Sequence, residues 1–406
     1  MGTDPQPRFC VWSTTAVVPT VDSMTTNSLN RTAPDSILSL RSPDAVIAAV
    51  PYLLGFQPSE SLVILWLSRN QVLLTLRVDL PPAVYTGQHR EISEVIAGAA
   101  KNAAADEVII CVFTDNARDG RLPFTSLITT LMVDFYRLGV RVRDALMIAG
   151  DVGADACETS AQWWSYLGDE SDIESPGTAL DEQVLLYVKS RFTLEGVVAL
   201  PDRTDLQRAF DPDTNRSSRI ELLVKDFVKA LAKNLGEAKA DDPSTAKAIT
   251  TWRGESIDEI VTLVVAADGR ELSDSEIARI VFCIVDIRVR DTLLWHLVQL
   301  SDRRAALDAL AAALRAAPEG MIAPIATCTS ICAWLTGDGA RALVALERAQ
   351  LADPDYSLAQ LVSQGLGAGL PPAFWSAAMA DVTEEQCRTG TSPVGSVTRS
   401  AEIHCD

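Results

Sequence analysis

Glu107-Val108-Ile109-Ile110-Cys111-Val112-Phe113 is the stretch on which the fold turns. It is a short, unbroken apolar run rich in β-branched residues, the pattern of a strand covered on both faces of a sheet. Working outward, Gln88 to Ala104 before it has helical character. After it, Pro123 to Leu138 predicts a helix stopped by Gly139, and Val140 to Ala149 predicts a further strand. Strand, helix, strand in this order implies right-handed crossovers and a sheet with helices on both faces.

Further upstream, Ser42-Pro43-Asp44 is a helix cap with proline at the first helical position, and Gly55 closes that helix. Leu62-Val63-Ile64-Leu65-Trp66-Leu67 and Val72 to Val78 are strands joined through Ser68-Arg69-Asn70, so they predict an antiparallel hairpin. The expected fold class is therefore α/β, with a mixed, largely parallel sheet flanked by helices. Gln162-Trp163-Trp164-Ser165 adds a strand whose adjacent tryptophans point to opposite faces.

Beyond Pro201 the strand signal stops. Ile220, Leu223, Phe227, Leu231 and Leu235 recur at three- and four-residue steps on a helix over 219–235 that also carries Lys225, Lys229 and Lys233. Helices over 244–267 and 273–288 follow, the second opening on a Ser273/Glu276 capping box. Ala306, Leu310, Ala313 and Pro318 recur with the same spacing as Ala342, Leu346, Ala349 and Pro354, which predicts tetratricopeptide-like helical hairpins. The expected organisation is a disordered tail over 1–34, an α/β domain over 35–200, a helical domain over 201–382 and a disordered tail over 383–406.

The bulk numbers agree with two domains, because 406 residues exceed one ordinary core. With 35 Lys+Arg against 54 Asp+Glu, the net charge is −19, which disfavours general nucleic-acid binding. No stretch is long and apolar enough for a membrane span, the opening residues lack the pattern of a signal peptide, and a reduced, cytoplasmic setting is expected. The eight cysteines contain no C-x₂-C pair. Cys328 and Cys332, four apart on a helix, read as small core residues in preference to metal ligands.

Asp79, Asp115 and Asp151 each follow a predicted strand. In open α/β sheets that edge is where ligands bind, so the three carboxylates are candidates to hold Mg²⁺ against a phosphate or to supply a general base. Arg41, Arg77, Arg118 and Arg290 are candidate phosphate contacts. Arg290 with Asp291 reads equally as a buried pair bridging domains. Trp163 and Trp164 are candidate stacking platforms, with core and edge packing as the plainer alternative. Phosphate-loop, dinucleotide and nucleophile-elbow motifs are absent from the sequence.

Several strings together resemble a known family. Leu40-Arg41-Ser42-Pro43, Ala48 to Pro58, Ser61-Leu62-Val63, Arg77 to Pro82, Trp164-Ser165-Tyr166, Pro176-Gly177-Thr178, Val289-Arg290-Asp291, Ala333 to Ala340 and Asp353 to Leu361 resemble an actinobacterial family called domain of unknown function four-one-nine-two. The likeness spans about Ser39 to Pro372. It implies a bacterial or phage setting and no known activity. The family's pattern carries cysteines shortly after the W-S-Y string, whereas Leu167 to Ser175 has none here, so no role of those cysteines transfers.

Three functional readings follow. The first is a non-catalytic, ligand-sensing or protein-interaction protein whose helical domain contacts a protein partner. The second is a metal-assisted enzyme acting on a phosphorylated or nucleotide substrate at the acidic strand-end edge. A nucleic-acid-associated protein is the third.

Overall fold

The computed structural model describes residues 9–12, 42–69, 71–81, 88–103, 105–116, 122–152, 161–167, 177–194, 197–235 and 243–390. Through the α/β part the order is β1 (Phe9–Trp12), α1 (Pro43–Leu54), β2 (Ser61–Ser68), β3 (Gln71–Asp79), α2 (Gln88–Ala103), β4 (Glu107–Phe113), α3 (Thr125–Arg137), β5 (Arg141–Ala149), β6 (Gln162–Ser165), β7 (Thr178–Ala179) and α4 (Glu182–Leu194). Helices follow: α5 (Arg203–Arg208), α6 (Thr214–Leu235), α7 (Pro243–Ile260) running into a π-turn at Val261–Val265, α8 (Asp274–Cys283), α9 (Ile287–Gln299) and α10 (Arg304–Arg315). The chain ends in α11 (Ile322–Leu335), α12 (Gly339–Ala352), α13 (Ser357–Gly367), α14 (Pro372–Ala380) and α15 (Glu384–Thr389). A mixed sheet with flanking helices, then a helical region, is the architecture expected.

Two compact units are present: Met1–Asp211 with Ala333–Phe374, and Pro212–Cys332 with Trp375–Asp406. The first contains the sheet, ordered β1-β3-β2-β4-β5-β6-β7. β4 and β5 pair in parallel, while the other described strand pairs of this sheet are antiparallel. The parallel share is thus smaller than expected. The reason is local: the β2–β3 hairpin docks on β4 through β2, and the chain after β5 turns back as β6.

One face of the sheet packs Leu62, Ile64, Trp66, Val108, Ile110 and Val112 against Ile92 and Ile96 of α2 and Leu127, Leu131 and Phe135 of α3. Trp66 and Phe135 meet edge to face at 5.3 Å. Such alternation of inward residues explains why β2 and β4 are buried along nearly their whole length: each presents apolar side chains to both covering layers. The cap on α1 forms as predicted, with the Ser42 hydroxyl accepting from the Ala45 amide and Gly55 in the left-handed region at φ 80°. Tyr52 of α1 stacks on Phe192 of α4 at 4.8 Å.

The expected tails need correction at two places. Phe9–Trp12, inside the segment read as disordered, pairs with β3, because four apolar and aromatic residues suit an open sheet edge. Thr383 opens α15 with a capping box to Gln386, a T-x-x-Q signal already visible in the sequence. Residues 13–41 and 391–406 lie outside the described residues.

In the second unit, α6 packs on α8, α7 on α9, and α15 on α9. The helix expected over 273–288 is two helices. Asp286 interrupts it, its carboxylate accepting from the Arg288 and Val289 amides to cap α9. The Ser273/Glu276 capping box is present. Ala306, Leu310 and Ala313 of α10 are buried in the second unit, and Ala342, Leu346 and Ala349 of α12 are buried in the first.

Candidate strand-end site

Register places the strand ends together. Asp79 of β3 lies opposite Ser61 of β2, Ser61 lies opposite Phe113 of β4, and Phe113 lies opposite Ile148 of β5. The ends of β3, β4 and β5 and the start of β2 therefore form one edge, as the sequence predicted. The carboxylates on it do not converge. With β2 and β4 between them and strands about 4.8 Å apart, the β3 and β5 backbones are separated by about 14 Å. A single ion takes its ligands within about 2.6 Å. Among the described residues, no group of three or more His, Cys, Asp or Glu side chains is placed to hold a metal ion.

Asp79 and Asp115 have local tasks instead. Asp79 Oδ1 accepts from Arg77 Nη2 at 2.6 Å. Arg77 is buried, with only 6% of its surface exposed, and donates through Nε to the Ser61 hydroxyl at 2.8 Å, which donates in turn to the Ser59 carbonyl at 2.6 Å. Its Cζ lies 5.7 Å from the centre of the Phe56 ring, and Nη1 is buried without a hydrogen-bond acceptor. Arg77 thus ties β3 to β2 and is not an open phosphate contact. Asp115 Oδ1 accepts from the Gly150 amide at 2.8 Å, joining the loop after β4 to the end of β5. Asp151 is exposed one residue further on.

The hub of the edge is Glu60, which the sequence did not single out. Its carboxylate accepts from the Thr114 hydroxyl at 2.9 Å, the Asn116 side-chain amide at 3.1 Å and the Asp115 backbone amide at 3.3 Å. Glu60 has a positive φ of 42°, unusual for a residue with a side chain. A signal for it existed: the residue before β2 must lie beside the residues after β4 once the two strands are antiparallel.

Trp163 and Trp164 take opposite faces, as alternation requires. Trp163 Nε1 donates to Asp44 Oδ1 at 3.2 Å, locking the indole to the first turn of α1. Trp164 lies beneath Gly177. Both therefore have packing roles. Tyr166 donates to the Pro123 carbonyl at 2.7 Å, and burial pushes its phenol pKa upward.

Of the other candidates, Arg41 and Arg118 lie outside the described residues. Arg290 donates through Nε and Nη2 to the neighbouring Asp291 on α9 at 2.9 and 2.7 Å. Lys225 and Lys229 pair with Glu221 and Asp226 along α6, the solvated-face arrangement. Cys328 and Cys332 are buried, free thiols. Among the described residues no helix is long and apolar enough to cross a membrane.

The sequence profile of the family described as Domain of unknown function (DUF4192) matches residues 43–373. The chain belongs to that family. Neither the curated proteins nor the solved structures compared with it gave a match.

Proposed function

We propose that the protein acts by binding rather than by turnover, as a ligand-sensing protein whose site is the strand-end edge of the sheet. The observation that supports this is the Glu60 carboxylate, held at positive φ and gathering three donors from the loop after β4. Backbone held in a sparsely populated conformation by its surroundings recurs at recognition sites. The hydrogen bonds give the edge a fixed set of donors and acceptors, among them the exposed side chains of Asp115, Asn116 and Asp151. Such a set suits a small polar ligand that hydrogen-bonds to carboxylates and an amide. In the same reading the helical unit, with α10 as the second helix of a tetratricopeptide-like hairpin, contacts a protein partner.

A thermal-shift panel of small polar metabolites, nucleotides, Mg²⁺ and Mn²⁺ tests it. A ligand present at 100 times its Kd stabilises the folded state by about 2.7 kcal/mol. The ligand's shift should vanish in Glu60→Gln and Asp115→Asn while it remains chemically unchanged on incubation. Conversion of the ligand to a product, or a shift untouched by both substitutions, would rule the reading out.

A further inference from the structure

The second unit carries a groove of about 390 Å³ between the loop after the π-turn and α10. Ala305, Ala309 and Ala312 of α10 line its floor, spaced along one face of the helix. Asp268, Glu271 and Asp308 stand on its rim, all exposed. Asp274, Glu276, Glu259, Asp286, Asp291 and Asp302 each pair with an arginine. None of the three rim carboxylates forms an ion pair with a described residue, although Asp268 accepts from the Arg270 backbone amide at 3.1 Å. The rim's own cation, Arg270, is committed to Glu276 through two bonds, at 3.1 and 2.5 Å.

We propose that this groove docks a basic segment of a partner protein. Charge complementarity selects the occupant: three exposed carboxylates, against the single Arg270 already bonded to Glu276, stand around a floor of alanine methyl groups. Lysine and arginine side chains match that arrangement, because their methylene stems lie on apolar surface while the charged head reaches a carboxylate. Alanine on the floor lets the partner's backbone approach closely. An acidic segment or a nucleic acid would meet like charge on the rim. This inference concerns the helical unit alone and stands apart from the strand-end reading.

A synthetic, fluorescently labelled helical peptide alternating lysine and alanine is the probe, with binding to the full chain followed by anisotropy at physiological salt. Two variants separate groove docking from attraction to a chain of net charge −19. Ala305→Phe fills the groove without altering charge, and Asp308→Asn removes one rim charge without filling it. Each should weaken binding by about tenfold, equivalent to 1.4 kcal/mol. Near-wild-type binding by Ala305→Phe, folded by circular dichroism, would overturn the proposal, as would a failure of the wild-type chain to bind.

Discussion

Gly177 lies directly against the indole of Trp164: a Cβ built on the glycine would stand 2.5 Å from the nearest ring atom. No side chain fits there without moving the ring or the strand. Trp164 and Gly177, which stand in two strings that looked separate in the sequence, thus meet in one packing contact at the β6–β7 end of the sheet.

Gly177→Ala should therefore destabilise the fold by about 1–3 kcal/mol, the usual cost of overpacking. Chemical denaturation measures it. A double variant, Gly177→Ala with Trp164→Phe, should recover part of the loss by removing the ring atoms in conflict. Equal stability of Gly177→Ala and wild type would refute the contact.

Arg77 and Asp79 make a second test. Removing the carboxylate leaves a buried guanidinium with Ser61 as its remaining hydrogen-bond partner, so Asp79→Ala should cost about 1–3 kcal/mol. Arg77→Met with Asp79→Ala should be less harmful than Asp79→Ala alone, since no uncompensated charge remains. A urea-denaturation cycle on these two variants together with Arg77→Met alone reports the coupling directly.

Glu276 should make stability depend on acidity. Hydrogen bonds from Arg270, then from the Ser273 amide and hydroxyl, lower its carboxyl pKa from 4.5 to about 2. A depressed folded-state value means the contribution is present above pH 4.5 and fades as pH falls toward 2. The group is largely solvated, so the effect is modest. An NMR titration of Glu276 should show the low midpoint, and Arg270→Gln should move it back up. An unchanged midpoint in that variant would contradict the assigned cause.

The buried thiols should be inert. Burial raises Cys328 and Cys332 to about 12, and Cys111 is raised by burial and then by the nearby Asp144. Thiolate is the reactive form, so these three should resist iodoacetamide at pH 8 in the folded protein and react after denaturation. Mass spectrometry of labelled peptides assigns each cysteine. Rapid labelling of Cys328 or Cys332 in the native state would mean that α11 opens readily.

Local rules carried much of the fold. Strands β2 to β5, the Ser42 and Ser273 caps and the alternation at Trp163 and Trp164 all follow from neighbours in sequence, through β-branching, cap chemistry and period. The direction of the β2–β3 hairpin followed too, but the antiparallel pairings of β2 with β4 and of β6 with β5 did not, because they join strands distant in sequence. The site was half legible. Strand order put Asp79, Asp115 and Asp151 on one edge, but their separation depends on β2 lying between β3 and β4. Glu60 escaped notice because its importance comes from the strand beside it, not from its own neighbours.

The return of Ala333–Phe374 to the sheet-bearing unit has a consequence for synthesis. Gly369, at φ 68°, sits where a Cβ would come within 2.9 Å of Ala99 on α2, so the docking is close. Domains generally fold as units, amino-terminal first, while the chain is being made. Here the sheet is translated early, yet its covering segment leaves the ribosome only after more than a hundred intervening residues. The first unit therefore cannot be completed until the whole insert between its two segments has been made.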